Sequence, residues 1–373
     1  MKKLKNPFLL TGYFGKEYFC NREQELDTLL EHFNNDRNIV LYSWRRMGKT
    51  ALIKCFVAEL EQKNIAETVY VDLLGTRSMN AAIKQITEAV YEKFGKTKSG
   101  FSAAFQHLLK SIGANLSFNP QSGMPEFSLS LKQSEKANRS LNALGDFLQK
   151  RKKQIIVVLD EFQQIGRYSK ENGEAFFRTW MQEYPGIRFI YSGSHRQMMI
   201  SMFADKNRPF YRSAQLMQLN PISFSSYKPF ITQHFERNGK QIDADVIDAI
   251  YEWSREQTYC IQLLCNKLFA KHDKIKVEHL QPICTEVINQ ESPILSNYSN
   301  LLTDMQWKVL LAVAKEEPLK NPQSKNFIEQ YHLGASSSVS TALKKLIEKE
   351  LVIQEESSYY IHDVLMTRWL QNF

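Results

Sequence analysis

A short apolar run, Ile39-Val40-Leu41-Tyr42, leads into the polar turn Ser43-Trp44-Arg45-Arg46-Met47-Gly48-Lys49-Thr50 and then into a helical pattern that starts with Ala51-Leu52. No other stretch limits the possible folds as tightly, because it reads as a strand delivering a phosphate loop to a helix N-terminus. Against the pattern G-x-x-x-x-G-K-[ST], residues 43–50 match at Gly48, Lys49 and Thr50, while Ser43 stands at the first glycine position. Each residue type has a task there. Gly48 lets backbone amides approach a phosphate, and the helix start behind it favours an anion. Lys49 is placed to reach β- and γ-phosphates, and the Thr50 hydroxyl to hold Mg²⁺. Ser43 is small enough to take a similar turn.

A chance Gly-Lys-Thr after an apolar strand is the competing explanation, and the stretch Gln154–Ile165 decides against it. There the apolar residues Ile155 to Leu159 end in Asp160 and Glu161. A continuous apolar run bounded by charge reads as a strand buried on both faces. Asp160 then emerges at the carboxyl end, where open parallel sheets place their ligands. It would bind Mg²⁺ through water, and Glu161 would polarise an attacking water. Alone, the two carboxylates read equally as a helix N-cap and a first-turn charge. Together with Gly48-Lys49-Thr50 they point to a nucleotide site.

With 373 residues and 43% hydrophobic content, the chain can bury a sizeable core and should divide into two or three domains. No apolar run approaches a membrane span, and Met1-Lys2-Lys3-Leu4-Lys5 is followed by too few apolar residues for a signal-peptide core, so the expectation is a cytoplasmic protein without membrane contact. Cys20, Cys55, Cys260, Cys265 and Cys284 lack paired C-x-x-C spacing, which fits reduced thiols better than zinc or disulfides. A net charge of +8 favours polyanions, nucleotide or nucleic acid alike.

Upstream of the loop, Asn21 is expected to cap a helix with Glu23 and Glu25 in its first turn. Downstream, Leu52, Ile53, Phe56, Val57 and Leu60 recur at helical spacing, and Thr68–Leu74 reads as a second buried strand. Strand, loop, helix, strand opens an α/β, doubly wound parallel sheet of the P-loop NTPase kind. The interval before Asp160 exceeds a minimal crossover, so residues of about 78–150 read as an insertion. It should carry helices over Asn80–Phe94 and Phe101–Ile112, a hairpin of Ala114–Phe118 with Glu126–Leu131, and a helix over Ser140–Lys150. The run Lys150-Arg151-Lys152-Lys153 reads as a solvated cationic helix end in preference to a nucleic-acid patch. After a helix over Glu174–Tyr184, the strand Ile187–Tyr191 ends in Ser192-Gly193-Ser194-His195. A polar group at that tip would sense a γ-phosphate. Ser194 is the first candidate, ahead of Ser192 and His195, and its alternative role is a helix N-cap.

Gln215–Leu219 reads as the last strand, with Pro221 as terminator. Helical patterns over Tyr227–Phe235, Ala244–Trp253 and Cys260–Phe269 then suggest a helical lid. From Thr303 the pattern changes to three helices, Met305–Ala314, Asn326–Tyr331 and Ser336–Lys349, and a hairpin of Leu351–Ile353 with Tyr359–Ile361, a winged-helix arrangement. The expected division is therefore 1–222 for the P-loop nucleotide domain, 223–300 for the lid and 301–373 for the winged helix.

In NPF…YFCNREQEL, SWRRMGKTAL, YVDLL, VVLDEFQ, FIYSGS, RPFYRSAQLMQL and YYIHDVLMTRWL, in that order, the chain resembles the prokaryotic and archaeal-type STAND ATPases, relatives of the AAA superfamily. The likeness covers nearly the whole length. It implies ATP binding with Mg²⁺ and slow hydrolysis used to switch conformation. It also implies that Trp44, Arg45, Arg46, Met47 and Ala51 line the loop, that Phe19 and Arg22 lie near the base end of ATP, and that Arg212 is a trans or inter-domain γ-phosphate contact. Three departures stand out: Ser43 in the loop, Ser213 after Tyr211-Arg212 where the family has Gly-Arg spacing, and Gln257-Thr258-Tyr259 where a Gly-x-Pro lid motif is usual.

The leading reading is an ATP-dependent switch with ATPase activity: Lys49 on the phosphates, Thr50 and Asp160 on Mg²⁺, Glu161 orienting water, Ser194 and Arg212 sensing the terminal phosphate. Two alternatives remain: an ATP-gated DNA-binding regulator acting through the winged helix, and a nucleotide-binding scaffold that does not turn over. From Leu301 onward eight Lys and Arg face nine Asp and Glu, and autonomous DNA binders are usually basic, so a protein contact for this module is preferred over DNA. Oligomerisation on ATP binding is compatible with the resemblance, with ADP as the other bound state.

Overall fold

Strand residues that alternate between two buried faces assemble into one five-stranded parallel sheet. The strands are β1 (Ile39–Tyr42), β2 (Ala66–Asp72), β3 (Gln154–Asp160), β4 (Ile187–Gly193) and β5 (Gln215–Gln218), in the order β2-β3-β4-β1-β5. Every pair is parallel, Asp72 lies opposite Asp160, and Tyr42 lies opposite Gly193, so the carboxyl ends of β1, β3 and β4 meet at one edge. This sheet fills one compact unit, Tyr13–Asn220; a second unit joins the N-terminal residues through Gly12 to Pro221–Phe373. The computed structural model describes residues 4–97, 100–101, 103–118, 125–129, 134–168 and 172–373.

The period-two alternation assigns the faces. On one face Ile156, Val158 and Ile190 pack with Leu29 of α1 (Glu23–Asn34) and with Leu52, Ile53 and Phe56 of α2 (Lys49–Gln62). Asp160 is in phase with Ile156 and Val158, which brings its carboxyl to the side covered by the phosphate-loop helix. On the other face Val69, Val71, Ile155, Val157 and Phe189 pack against the helices Met79–Val90, Ser134–Gln149 and Gly173–Glu183. Two of those helices come from the interval read as an insertion, so part of it is sheet cover. Its strands Ala114–Phe118 and Pro125–Leu129 pair antiparallel, with Ala114 opposite Leu129; residues 119–124 and 130–131 of the expected hairpin lie outside the described residues. The basic run is engaged in part: the Arg151 guanidinium lies 4.3 Å from the Phe94 ring centre and 3.6 Å from Glu67, and Lys153 donates to Asn64.

Asn21 does not cap α1. Both Asn21 and Arg22 take left-handed conformations (φ 52° and 90°), and Arg22 occupies the capping position without a side-chain cap. All five cysteines are buried thiols outside any disulfide. Among the described residues no helix is long and apolar enough to cross a membrane.

In the second unit the helices Phe224–Glu236, Ala244–Trp253, Thr258–Lys271 and Leu280–Leu295 form a bundle. The N-terminal segment is tied into it: Asn6 Nδ2 donates to the Asn266 carbonyl at 2.9 Å, Asn266 Nδ2 donates to the Phe8 carbonyl at 2.7 Å, and Phe8 is buried beside His234, Phe235 and Phe269. The helices Asp304–Lys315, Lys325–Gln330 and Ser336–Glu348 follow, with an antiparallel hairpin of Val352–Glu355 and Ser358–Ile361. The sequence reading lacked a closing helix, Val364–Leu370, whose Met366, Trp369 and Leu370 join the core with Val309 and Leu310. Asp363 starts it by accepting the Leu365 and Met366 amides.

An aromatic cluster of Phe162, Tyr191, Phe203 and Phe210 backs the sheet edge, with ring centres 4.5–6.0 Å apart. Phe203→Ala should lower the unfolding free energy of the sheet unit by about 3–5 kcal/mol, measured as a drop in the urea midpoint with an unchanged slope.

Candidate functional site

The turn after β1 is shaped by two left-handed residues, Arg46 (φ 66°) and Gly48 (φ 91°). At Gly48 a side chain would be strained in that conformation, and Gly48 caps α2 without any side-chain bond, leaving the amides of the first turn open to a ligand. Lys49 turns back into the loop. Its Nζ donates to the Ser43 carbonyl at 3.3 Å, to Ser43 Oγ at 3.0 Å and to the Trp44 carbonyl at 3.1 Å. Ser43 Oγ in turn donates to the Trp44 carbonyl at 2.8 Å. Ser43, at the first glycine position, thus has its hydroxyl on the lysine that the motif directs at phosphates.

Burial lowers the Lys49 pKa to about 8, an effect opposed by the charges of Glu161 and Asp160 and reinforced by Arg45. Trp44 is half-buried with the Arg196 guanidinium 5.5 Å from its ring centre, Met47 is buried, Ala51 is half-buried, and Arg45 and Arg46 are exposed.

From the end of β3, Asp160 faces this loop. The Thr50 hydroxyl donates to Asp160 Oδ2 at 3.0 Å, and the Tyr70 phenol, from β2, donates to the same oxygen. Burial, then the Asp160 charge, pushes the Tyr70 pKa well above its ordinary value. Glu161 is held in a left-handed conformation (φ 54°) and its Oε2 accepts bonds from Ser194 Oγ at 2.8 Å and from Gln163 Nε2. Because β4 lies between β1 and β3, its tip projects between the loop and the two carboxylates. Gly193 leaves room at this tip for the side chains of Met199 and Gln163, which a Cβ there would displace.

Ser194 is not the cap of the helix that follows. His195 performs that task, its Nδ1 accepting the Met198 amide at 3.3 Å. Ser192 is buried, and its hydroxyl has no partner among the described residues.

The structure therefore brings together Ser43, Lys49, Thr50, Asp160, Glu161 and Ser194, and adds Tyr70 and Gln163, which sequence reasoning missed. Tyr70 was legible only as one aromatic in an apolar strand; its role depends on the register between β2 and β3. Gln163, two residues after Glu161, carried no signal of its own in the sequence. Arg212, Phe19 and Arg22 lie outside this network. Arg212 is exposed at φ 50°, with its guanidinium 5.2 Å from the Tyr211 ring centre. Phe19 packs beside Tyr13 and the core under α1. Arg22 is buried and paired with Glu25, while its Nη2 lacks an acceptor among the described residues.

The donor set fits Mg²⁺, a hard ion that takes few protein ligands, here a hydroxyl and a carboxylate. Open amides, a buried ammonium and an orphaned guanidinium nitrogen likewise fit a nucleotide.

The sequence matches the family described as an ATPase domain predominantly from Archaea over residues 19–261, and the one described as a probable winged helix domain over residues 293–372. No curated protein matches it. Among solved structures, the chain is similar to the Walker-type ATPase PABY2304 of Pyrococcus abyssi, at 18% identity and TM-score 0.67 over 98% of this chain and 99% of that one. It is also similar to the ORC2 protein of Aeropyrum pernix in its ADPNP–ADP complexes (15%, TM-score 0.61, 98% and 95%). A third is the ORC1 protein of Aeropyrum pernix in complex with DNA (15%, TM-score 0.56, 99% and 96%). At these identities they share the fold.

Nucleotide affinity should respond to Lys49. Below about pH 8 the ammonium is charged and affinity is level; above it, phosphate binding must draw a proton onto neutral Lys49. Affinity for ADP should then fall toward tenfold per pH unit up to about pH 10, and Lys49→Arg, charged throughout, should flatten that slope in a calorimetric pH series.

Proposed function

The chain belongs to the family of ATPase domains found predominantly in Archaea, and from that premise we propose that it is an ATP-dependent conformational switch of the STAND type, with Mg²⁺-dependent, slow turnover. One observation carries this reading: three hydrogen-bonded pairs, Lys49 with Ser43, Thr50 with Asp160 and Ser194 with Glu161, adjoin one another at the carboxyl ends of β1, β3 and β4.

In this reading ATP enters with its phosphates over the amides of residues 44–51, and Lys49 leaves the Ser43 and Trp44 oxygens for the β- and γ-phosphates. Mg²⁺, held by Thr50 and through water by Asp160, would supply charge neutralisation across the phosphate oxygens. Glu161 releases Ser194 to orient the attacking water, and the freed Ser194 hydroxyl turns to the terminal phosphate. Exposed Arg212 serves a γ-phosphate presented by another domain or a second copy. Phe19 and Arg22 receive the base end, where Arg22 Nη2 has a hydrogen bond to give. The working division is 1–222 as ATPase domain, 223–300 as lid and 301–373 as winged helix, in a cytoplasmic protein whose effector is another protein.

DNA binding through the winged helix is the less favoured reading. Of the polar side chains on the helix Ser336–Glu348, Ser340 is engaged by Gln323 at 2.8 Å and Lys345 by Glu348 at 2.7 Å.

ATP turnover and affinity should be measured for the wild type, Lys49→Ala and Glu161→Gln. Turnover should fall by at least about a hundredfold in both, with affinity kept in Glu161→Gln and lost in Lys49→Ala. Tight binding without wild-type turnover would move the scaffold reading forward.

A further inference from the structure

Asp160 is fixed through both of its oxygens. Oδ1 accepts the backbone amide of Glu161 at 3.0 Å, and Oδ2 accepts both the Thr50 hydroxyl and the Tyr70 phenol. Asp160 is only 5% exposed, so water has little room to take over any of these bonds. Thr50 belongs to α2, whereas Tyr70 belongs to β2, a strand that β3 separates from the rest of the site. Tyr70 pairs with Val158, and Asp72 with Asp160, so the phenol approaches Asp160 from one step down the sheet. Lys54, one helical turn beyond Thr50, places its ammonium 5.5 Å from the Tyr70 ring centre. The ring therefore lies between the helix that carries Thr50 and the strand that carries Asp160.

We propose that Tyr70 is a positioning residue for the metal site, its phenol holding the Asp160 carboxylate in the orientation that a Mg²⁺ shared with Thr50 requires. This rests on the reading of Thr50 and Asp160 as the metal-holding pair. A phenolic O–H is a donor at neutral pH, so it fixes Oδ2 without adding charge beside a cation. Without it the Glu161 amide still holds Oδ1 but Oδ2 is held by Thr50 alone, and the added freedom must be removed each time the metal is taken up. Partners that orient a metal ligand commonly contribute 10–100-fold to metal affinity. A phenol that only filled space would leave the metal untouched when its hydroxyl is removed.

Tyr70→Phe separates the two roles, because it keeps the ring under Lys54 and deletes only the hydroxyl. The affinity of the full chain for a non-hydrolysable ATP analogue is measured by calorimetry, first in excess EDTA and then in excess Mg²⁺, for the wild type and the variant. Equal affinities in EDTA are expected, with the gain on adding Mg²⁺ smaller in the variant by about tenfold. An undiminished gain would overturn the proposal, as would equal weakening in both conditions, which marks a packing role. A wild type that binds the analogue without any Mg²⁺ gain would remove the metal assignment of Thr50 and Asp160, and the proposal with it; the wild-type arm thus separates that failure from failure of Tyr70 alone.

Discussion

Lys49 is 6% exposed, and its ammonium donates to the Ser43 carbonyl, the Ser43 hydroxyl and the Trp44 carbonyl, all uncharged oxygens. Burying a cation against neutral partners is costly unless something compensates. Compensation comes partly from Asp160 and Glu161 across the loop, and the pKa depression shows that it is incomplete. A phosphate placed over the same turn would supply the missing charge. The loop, the helix behind it and the two carboxylates are thus arranged around a cation that is better off with an anion than without one.

The carboxylates are kept in reserve by neutral donors. Asp160 is held by Thr50 of α2 and Tyr70 of β2, and Glu161 by Ser194 just past β4 and Gln163 in the turn after β3. In the other unit, a partly buried arginine plays a comparable organising part. Arg255, at the left-handed end of the helix Ala244–Trp253, pairs with Glu317 and donates to the Ile361 carbonyl at 2.9 Å, while Arg368 donates to the Trp253 carbonyl at 3.1 Å and 3.0 Å. Burial lowers the Arg255 pKa to about 10. These bonds join the helical bundle to the hairpin and closing helix of the winged module, so the two halves of this unit are mechanically linked.

Features governed by local pattern were legible in the sequence. The apolar runs of β1, β3 and β4, the Gly48-Lys49-Thr50 turn and the three helices and hairpin of the tail follow from periodicity and turn chemistry alone. Features governed by pairing were not. Tyr70 acquires a role only through the β2–β3 register, and Gln163 only through the bend that brings it back to Glu161. At Asn21 the expected cap gave way to a left-handed backbone, and at Ser194 the neighbouring His195 took the capping bond and left the serine for Glu161. The closing helix Val364–Leu370 is only seven residues long, too short to show a helical period, and Asp363 caps it.

Hydrogen exchange of the full chain, free, with ADP and with a non-hydrolysable ATP analogue, all with Mg²⁺, tests the central claim most directly. Both nucleotides should protect the amides of residues 44–51, and only the triphosphate should alter exchange at residues 193–199, where Ser194 leaves Glu161. Equal exchange at residues 193–199 with ADP and the triphosphate would contradict the switch, and unprotected amides at residues 44–51 would contradict the site itself.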